Sequence, residues 1–273
     1  MNCQDILRPI LLLKLLFFAV ILSLGTAAGA ESEKTVVYFY SSETNINNFK
    51  SLKMEFDSFL SALGPYEFQP FSDRDAFEKH IKGREKCLLL ISSWHYNNIS
   101  REYALEPVLA GMRNGTIYQT RVLVCKEGSE DMNIAKKGRI ASASSIPHTQ
   151  SSLKEIFDND ENAANAAKIL IVPKDIDALM SVGFGMCQCA LTTKSALDTL
   201  KTLNPGLYKS IKVMAEGKES LFLILASPKN FAKEAEKLIT IIRKMPETPD
   251  GEKKIRMLGL DNWQQIDSSK LGG

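Results

Sequence analysis

The segment Gly138–Phe157, GRIASASSIPHTQSSLKEIF, concentrates hydroxyl side chains where a short apolar run gives way to a helical pattern. Ser144 and Ser145 stand where a helix N-cap belongs, Pro147 falls in the first turn, and His148 and Thr149 follow at once. The first turn of a helix exposes N–H groups that have no internal partner, and the aligned peptide dipoles leave partial positive charge there. An oxyanion can be held at such a place without lysine or arginine. Plain capping is the competing explanation, because Ser before Pro opens many helices that bind nothing.

Two further stretches end an apolar run on hydroxyls. KTVVYFYSS closes on Tyr40, Ser41 and Ser42, and KCLLLISSWHY on Ser92, Ser93, Trp94, His95 and Tyr96. In open α/β sheets the carboxyl ends of the strands form the usual ligand crevice. His95 would add a donor whose charge depends on pH; otherwise it is a surface residue, and Trp94 and Tyr96 are core aromatics. No catalytic constellation accompanies these residues. The sequence holds no G-x-S-x-G elbow, no H-E-x-x-H and no P-loop, and no base is evident beside Cys187 or Cys189 that would make either a nucleophile. A non-enzymatic protein is the expectation.

Strands and helices must place these hydroxyls. KTVVYFYSS reads as a strand, followed by a helix whose face carries Phe49, Leu52, Phe56, Phe59 and Leu60. YEFQPFS is a strand, RDAFEKHIKG a short helix, and KCLLLISS a fully apolar strand suited to a parallel sheet covered on both faces. EYALEPVLAGMRNG then leads into the long β-run TIYQTRVLVCKEG. The alternation restarts with GRIASAS, PHTQSSLKEIFDND, AKILIVP, KDIDALMSVGFG, CQCALTT and KSALDTLKTLN, strand and helix in turn. A second long β-run, SLFLILAS, precedes the helix PKNFAKEAEKLITIIRKM, whose stripe Phe231, Ala235, Leu238 and Ile242 needs a sheet to cover. Two α/β blocks linked by long β-runs predict a two-lobed α/β architecture with a cleft between lobes. Lobe 1 is expected over 31–124 and 220–273 and lobe 2 over 125–219, with a hinge near Val122–Val124 and Phe222–Leu225.

The chain begins with a weakly basic stretch holding Arg8 and Lys14, an apolar run from Leu15 to Leu24, and small residues at Ala28, Gly29 and Ala30. This reads as a secretory signal peptide over 1–30 cleaved after Ala30, since the run falls short of the roughly 20 apolar residues a span requires. Its removal takes Arg8, Lys14 and Asp5, so the formal charge moves from +2 to +1. A nearly neutral surface offers no broad basic field for nucleic acid, and any bound anion must be held locally. Cys87, Cys125, Cys187 and Cys189 remain, the last two placed by MCQCAL on one strand face. Buried inert thiols are favoured over a disulfide, and a metal site, with only His80, His95 and His148 to complete it, is least favoured.

From about Val36 to Asp267 the chain resembles the substrate-binding proteins of phosphate, phosphite and phosphonate ABC importers, of the type 2 periplasmic-binding fold (PhnD-like). EFQPFSDRDAFEKHIKG, SSWHY, EPVLAGMRNG, DALMSVGFGMCQCALTTKSALDTLKTLNPGLYKSIKVMAEG and LGLDNWQQID carry the resemblance by their shared order. It implies a periplasmic monomer without cofactor, metal or nucleic-acid partner. Such a protein shuts two lobes on a small oxyanion and delivers it to an ABC transporter permease, or reports it to a sensor kinase. It points to Tyr96 as a cleft residue and to the Ser144–Thr149 junction as the oxyanion's holder, facing Tyr40, Ser41, Ser42 and Ser93. It places Gln188, in GMCQCA, where the family's GKADAA-like segment has an acid; a neutral amide there disfavours a ligand ammonium group. The junction reads SSIPHTQ rather than the glycine-bearing SSTSG-like form, so Pro147 removes one N–H donor.

Overall fold

The computed structural model describes residues 34–43, 46, 48–128 and 131–266, so the leader expected over 1–30 lies outside them. Strands β1 (Thr35–Tyr40), β2 (Tyr66–Phe71) and β3 (Cys87–Ser92) alternate with helices α1 (Phe49–Ser61) and α2 (Arg74–Ile81). Helix α3 (Ser93–Ile99) continues straight from β3, and β4 (Leu105–Met112) follows. The chain then crosses into β5 (Tyr118–Lys126), α4 (Asn133–Lys137), β6 (Arg139–Ser142) and α5 (Ile146–Ile156). Next come α6 (Glu161–Ala166), β7 (Lys168–Ile171), α7 (Asp175–Gly183), β8 (Cys189–Thr193), α8 (Lys194–Leu203) and α9 (Pro205–Lys209). It returns through β9 (Ile211–Leu221) and β10 (Leu223–Pro228) to α10 (Glu236–Lys244), α11 (Pro249–Met257) and β11 (Asn262–Gln265).

The strands form two sheets, ordered β11-β4-β10-β3-β1-β2 and β7-β6-β8-β5-β9. In the first, β1 runs parallel to both β2 and β3, and β10 turns the pairing antiparallel. Every residue of β3 is buried, as its unbroken apolar run requires for a sheet covered on both faces. One face of the sheet packs Phe39, Leu88 and Leu90 against Leu52, Phe56 and Leu60 of α1 and against Leu238 and Ile242 of α10. The other packs Tyr38, Leu89 and Ile91 against Phe77 and Ile81 of α2. The second sheet likewise separates its neighbours on β5, with Leu123 and Cys125 facing α5 residues such as Leu153 while Val122 and Val124 face α7. That alternation follows from the two-residue repeat of a strand.

Several expectations are corrected. The stretch EYALEPVLAGMRNG, left without an assignment above, contains the strand β4, and the register between β4 and β10 slips between Leu225 and Ala226, beside Pro107. The C-terminal helix starts only at Glu236, yet Phe231, Ala235, Leu238 and Ile242 all join one buried cluster as their spacing required. Val122–Val124 do not form a crossing: they lie inside the second sheet, fully buried between β8 and β9. The crossing instead falls in Arg113–Ile117, where Arg113 and Thr116 exchange backbone hydrogen bonds of 2.8 and 3.1 Å around Asn114 and Gly115, both at positive φ. The return falls at Phe222, whose N–H reaches Ile117 O at 3.2 Å and whose carbonyl accepts from Ser93 N at 3.1 Å. Arg113 locks the two crossings together, its guanidinium 4.7 Å over the Phe222 ring.

Cysteine chemistry also differs from the favoured reading. Cys125 and Cys189 are disulfide-bonded across the β5–β8 pair, closing a separation of 64 residues. In a chain-entropy account such a loop is worth about 4 kcal/mol of stability. Cys87 and Cys187 are free and buried, and burial raises both thiols above their usual range. Cys187 does not share the face of Cys189: β8 begins only at Cys189, and the two side chains enter different clusters. No helix among the described residues is long and apolar enough to cross a membrane.

Candidate functional site

The carboxyl ends of β1 and β3 in the first sheet meet the carboxyl end of β6 in the second. Ser42, just past β1, shares its hydroxyl with Ser92 at 2.9 Å and with His148 Nδ1 at 2.8 Å. The Ser145 N–H donates to Ser42 O at 2.7 Å, and Glu43 pairs with Ser144 as an antiparallel bridge. Trp94 of α3 stacks on His148 of α5, ring centroids 5.1 Å apart and 15° from coplanar. Burial, reinforced by Arg121, holds His148 well below the usual imidazole pKa, so the ring is neutral near pH 7. Thr149 donates to Ser142 Oγ at 2.9 Å and reaches Ser144 O at 3.2 Å.

Plain capping does not account for the serines of this junction. Helix α5 has Ser145 at its N-cap, but no side chain caps it. The hydroxyl oxygens of Ser144 and Ser145 are shut off from solvent; that of Ser144 has no hydrogen-bond partner, and that of Ser145 is approached only by the Tyr40 hydroxyl, short of a well-formed bond. Buried polar atoms are ordinarily satisfied, because leaving one unpaired costs about 1–3 kcal/mol. Two orphaned hydroxyls beside a helix start are what a site for an external acceptor looks like. Ala143 and Glu43, the chain neighbours of Ser144 and Ser42, line a cavity of about 260 Å³ with Arg113, Asp175 and Thr193, although the two serines themselves do not. A larger groove of about 600 Å³ shares Arg113, Thr193, Ser195 and Thr199 with it.

A charged cluster adjoins the hydroxyls. The Glu43 carboxylate accepts from Arg121 Nη2 at 3.0 Å and from Gln119 Nε2 at 3.1 Å, both on β5. Arg121 and Gln119 are 6 % and 8 % exposed, and Arg121 Nη1 and Gln119 Oε1 have no partner. Asp175 opens α7, its Oδ1 also unpartnered and closed to solvent. Burial pushes its carboxyl up to about 6 while Arg121 pulls the other way.

Of the residues expected at the site, Ser42, Ser144, Ser145, His148 and Thr149 come together. Ser92 and Trp94 join them. Ser41 stays beside the group, but its hydroxyl accepts the Glu43 N–H at 3.1 Å. Ser93 turns away to donate to Leu221 O at 2.6 Å, fastening α3 to the return crossing. The Tyr40 ring is buried against Phe77 and His95, at centroid distances of 5.6 and 5.1 Å, while its hydroxyl reaches toward Ser145 and so borders the junction. Tyr96 packs on that same core and its hydroxyl points to Leu105 O at 3.5 Å. His95 is not a surface residue: it is fully buried, with Nε2 bonded to Glu78 at 2.8 Å and Nδ1 without a partner. Gln188 is exposed at the opposite end of β8, accepting from Arg139 N at 2.7 Å. Its amide therefore sets no preference about ligand ammonium groups. Glu43, Gln119, Arg121 and Asp175 were missed. Arg121 alone left a signal, as a lone cation within the strand-like run QTRVLVC, a place where an unpaired charge is seldom tolerated.

No family model matches the chain, and no curated protein does. Solved structures do. A binding-protein component of an ABC phosphonate transporter from Pseudomonas aeruginosa superposes with a TM-score of 0.61 at 14 % identity, covering 88 % of this chain and 84 % of that one. A Xanthomonas citri protein bound to ATP gives 0.60 at 12 % identity, with 87 % and 93 % covered. PhnD1 from Prochlorococcus marinus, in complex with methylphosphonate, gives 0.58 at 12 % identity, with 86 % and 94 % covered. The chain has the two-lobed fold of type 2 periplasmic binding proteins.

Proposed function

From that fold and the orphaned hydroxyls between its sheets, we propose that the chain is an exported solute-binding protein. It captures a small oxyanion of the phosphate, phosphite or phosphonate kind and delivers it to an ABC importer. In this reading the leader is cleaved after Ala30, and a monomer works in the periplasm with a permease as its protein partner. Lobe 1 comprises 34–117 and 222–266 and lobe 2 comprises 118–221, moving about Arg113–Ile117 and Phe222.

One observation carries the reading: at the start of α5 the hydroxyl oxygens of Ser144 and Ser145 are closed to solvent, the first without a partner and the second approached only by Tyr40. The helix start adds partial positive charge and free N–H groups. The buried guanidinium of Arg121 stands beside the same junction, its charge offset in this structure by Glu43. His148, neutral and hydrogen-bonded to Ser42, orients the wall from the first sheet. A tetrahedral oxyanion presents several acceptor oxygens at once, which suits a ring of hydroxyl and amide donors better than a carboxylate does. The fold neighbours that carry phosphonate-transporter and methylphosphonate descriptions support the choice of phosphorus.

Isothermal titration of the purified protein with phosphate, phosphite and methylphosphonate tests it. Saturable one-to-one binding of at least one is expected. Absence of heat with all three, at protein and ligand concentrations that reach millimolar affinity, would contradict the phosphorus-oxyanion assignment.

A further inference from the structure

We infer that Glu43 is a tethered anion seated in the molecule's own oxyanion subsite, and that a ligand takes over Arg121 and Gln119 by displacing its carboxylate. The inference rests on the oxyanion-binding reading and deepens it, adding a charged subsite and a built-in competitor to the hydroxyl junction.

The geometry is specific. Glu43 leaves the carboxyl end of β1 next to Ser42, and its backbone is bridged to Ser144 of the second sheet. Arg121 and Gln119 are two apart on β5, where its pairing with β9 is irregular between Thr120 and Val122, and both side chains reach the same carboxylate. Both donate to a single oxygen, Glu43 Oε1, at 3.0 and 3.1 Å. A guanidinium presents a planar fork suited to two oxygens of one oxyanion. Here one nitrogen is taken by Glu43, and Nη1, buried, has no partner. The side chains are 7 % exposed for Arg121 and 16 % for Glu43, so the cation cannot exchange its partner for bulk water. It can exchange one anion for another. A phosphonate or phosphate oxygen pair would engage both Arg121 nitrogens, while the displaced carboxylate turns into the cavity that Glu43 already lines. Glu43 thereby lowers affinity for weak anions, since every ligand competes with it.

Glu43→Gln keeps the shape and removes the competing charge. Methylphosphonate and inorganic phosphate are titrated into the unaltered protein, E43Q and R121Q, with sodium acetate as a third probe. E43Q is expected to bind a phosphorus oxyanion about tenfold or more tightly than the unaltered protein, while R121Q loses at least that much. The thermal midpoint of E43Q in chloride buffer is expected to lie below that of the unaltered protein and to be restored by the bound anion. Equal binding by all three proteins overturns the inference and leaves the oxyanion reading intact. Acetate binding to E43Q without binding of either phosphorus oxyanion upholds the exchange and rejects phosphorus as the ligand's element. No anion bound by any of them overturns both. Should E43Q fail to fold in chloride, refolding in phosphate is the same positive result read through stability, and failure in both buffers overturns the inference.

Discussion

The hydroxyl junction and the charged cluster beside it meet the same problem, polar groups buried between two sheets, with groups of different charge. Both keep unpartnered atoms: Ser144 Oγ and Ser145 Oγ in the first, Arg121 Nη1, Gln119 Oε1 and Asp175 Oδ1 in the second. Ser42, Ser92, Ser142, Thr149 and His148 satisfy one another through short neutral hydrogen bonds. Glu43, Gln119, Arg121 and Asp175 leave three of their buried atoms unpaired. Neutral hydroxyls tolerate burial cheaply and can rotate to suit; charges require a fixed partner or a ligand. The junction therefore shapes the site, and the cluster decides what charge it accepts.

Breaking the cluster is expected to cost most. Arg121→Met removes the cation that Glu43 and Asp175 face, and a broken buried pair costs about 3 kcal/mol, read as a fall in the urea midpoint without change of slope. A loss under about 0.5 kcal/mol would mean that the cluster is solvated and the contrast is false.

Next in size is Asp175→Asn. Its folded pKa of about 6 exceeds the unfolded value of 3.8. The native state thus binds more protons between these values, and the ionised carboxyl lowers stability as pH rises from about 4 to 6. The variant is expected to be about 1–3 kcal/mol more stable than the parent at pH 8 and equal to it near pH 3.5. His148 has the opposite sign. Its folded pKa lies below 6.5, so the unfolded state binds the extra proton and stability falls as pH drops below about 6.5. In H148N that loss between pH 6.5 and 5 is expected to disappear; an unchanged profile would show that the ring is not buried against Trp94.

The smallest effect belongs to the junction. Thr149→Val keeps the shape and removes a hydroxyl bonded to Ser142 and Ser144 O, for an expected loss of about 1 kcal/mol. Stability equal to the parent would place water, rather than Ser142, as its partner.

Most of the strand and helix alternation was legible, because long apolar runs and the α1 and α10 stripes announce their burial. Local signals also marked Ser144, Ser145 and Thr149, since a hydroxyl cluster before a helix is a short-range pattern. Tyr96 and His95 were misplaced for a reason of geometry: SSWHY begins a helix, and the 3.6-residue turn carries those rings back into the first sheet's core. Gln188 was misplaced because motif order does not say which end of a strand a residue occupies. The Glu43–Arg121 pair is 78 residues apart and depends on two sheets meeting, which no local pattern encodes.

Crystals grown with methylphosphonate test the central claim most directly. The account expects the phosphonate oxygens within hydrogen-bonding distance of Ser144 Oγ, Ser145 Oγ and the Arg121 guanidinium, with the Glu43 carboxylate moved off Arg121. Methylphosphonate held elsewhere, with Glu43 still paired to Arg121 and both serine hydroxyls still unpartnered, would contradict it.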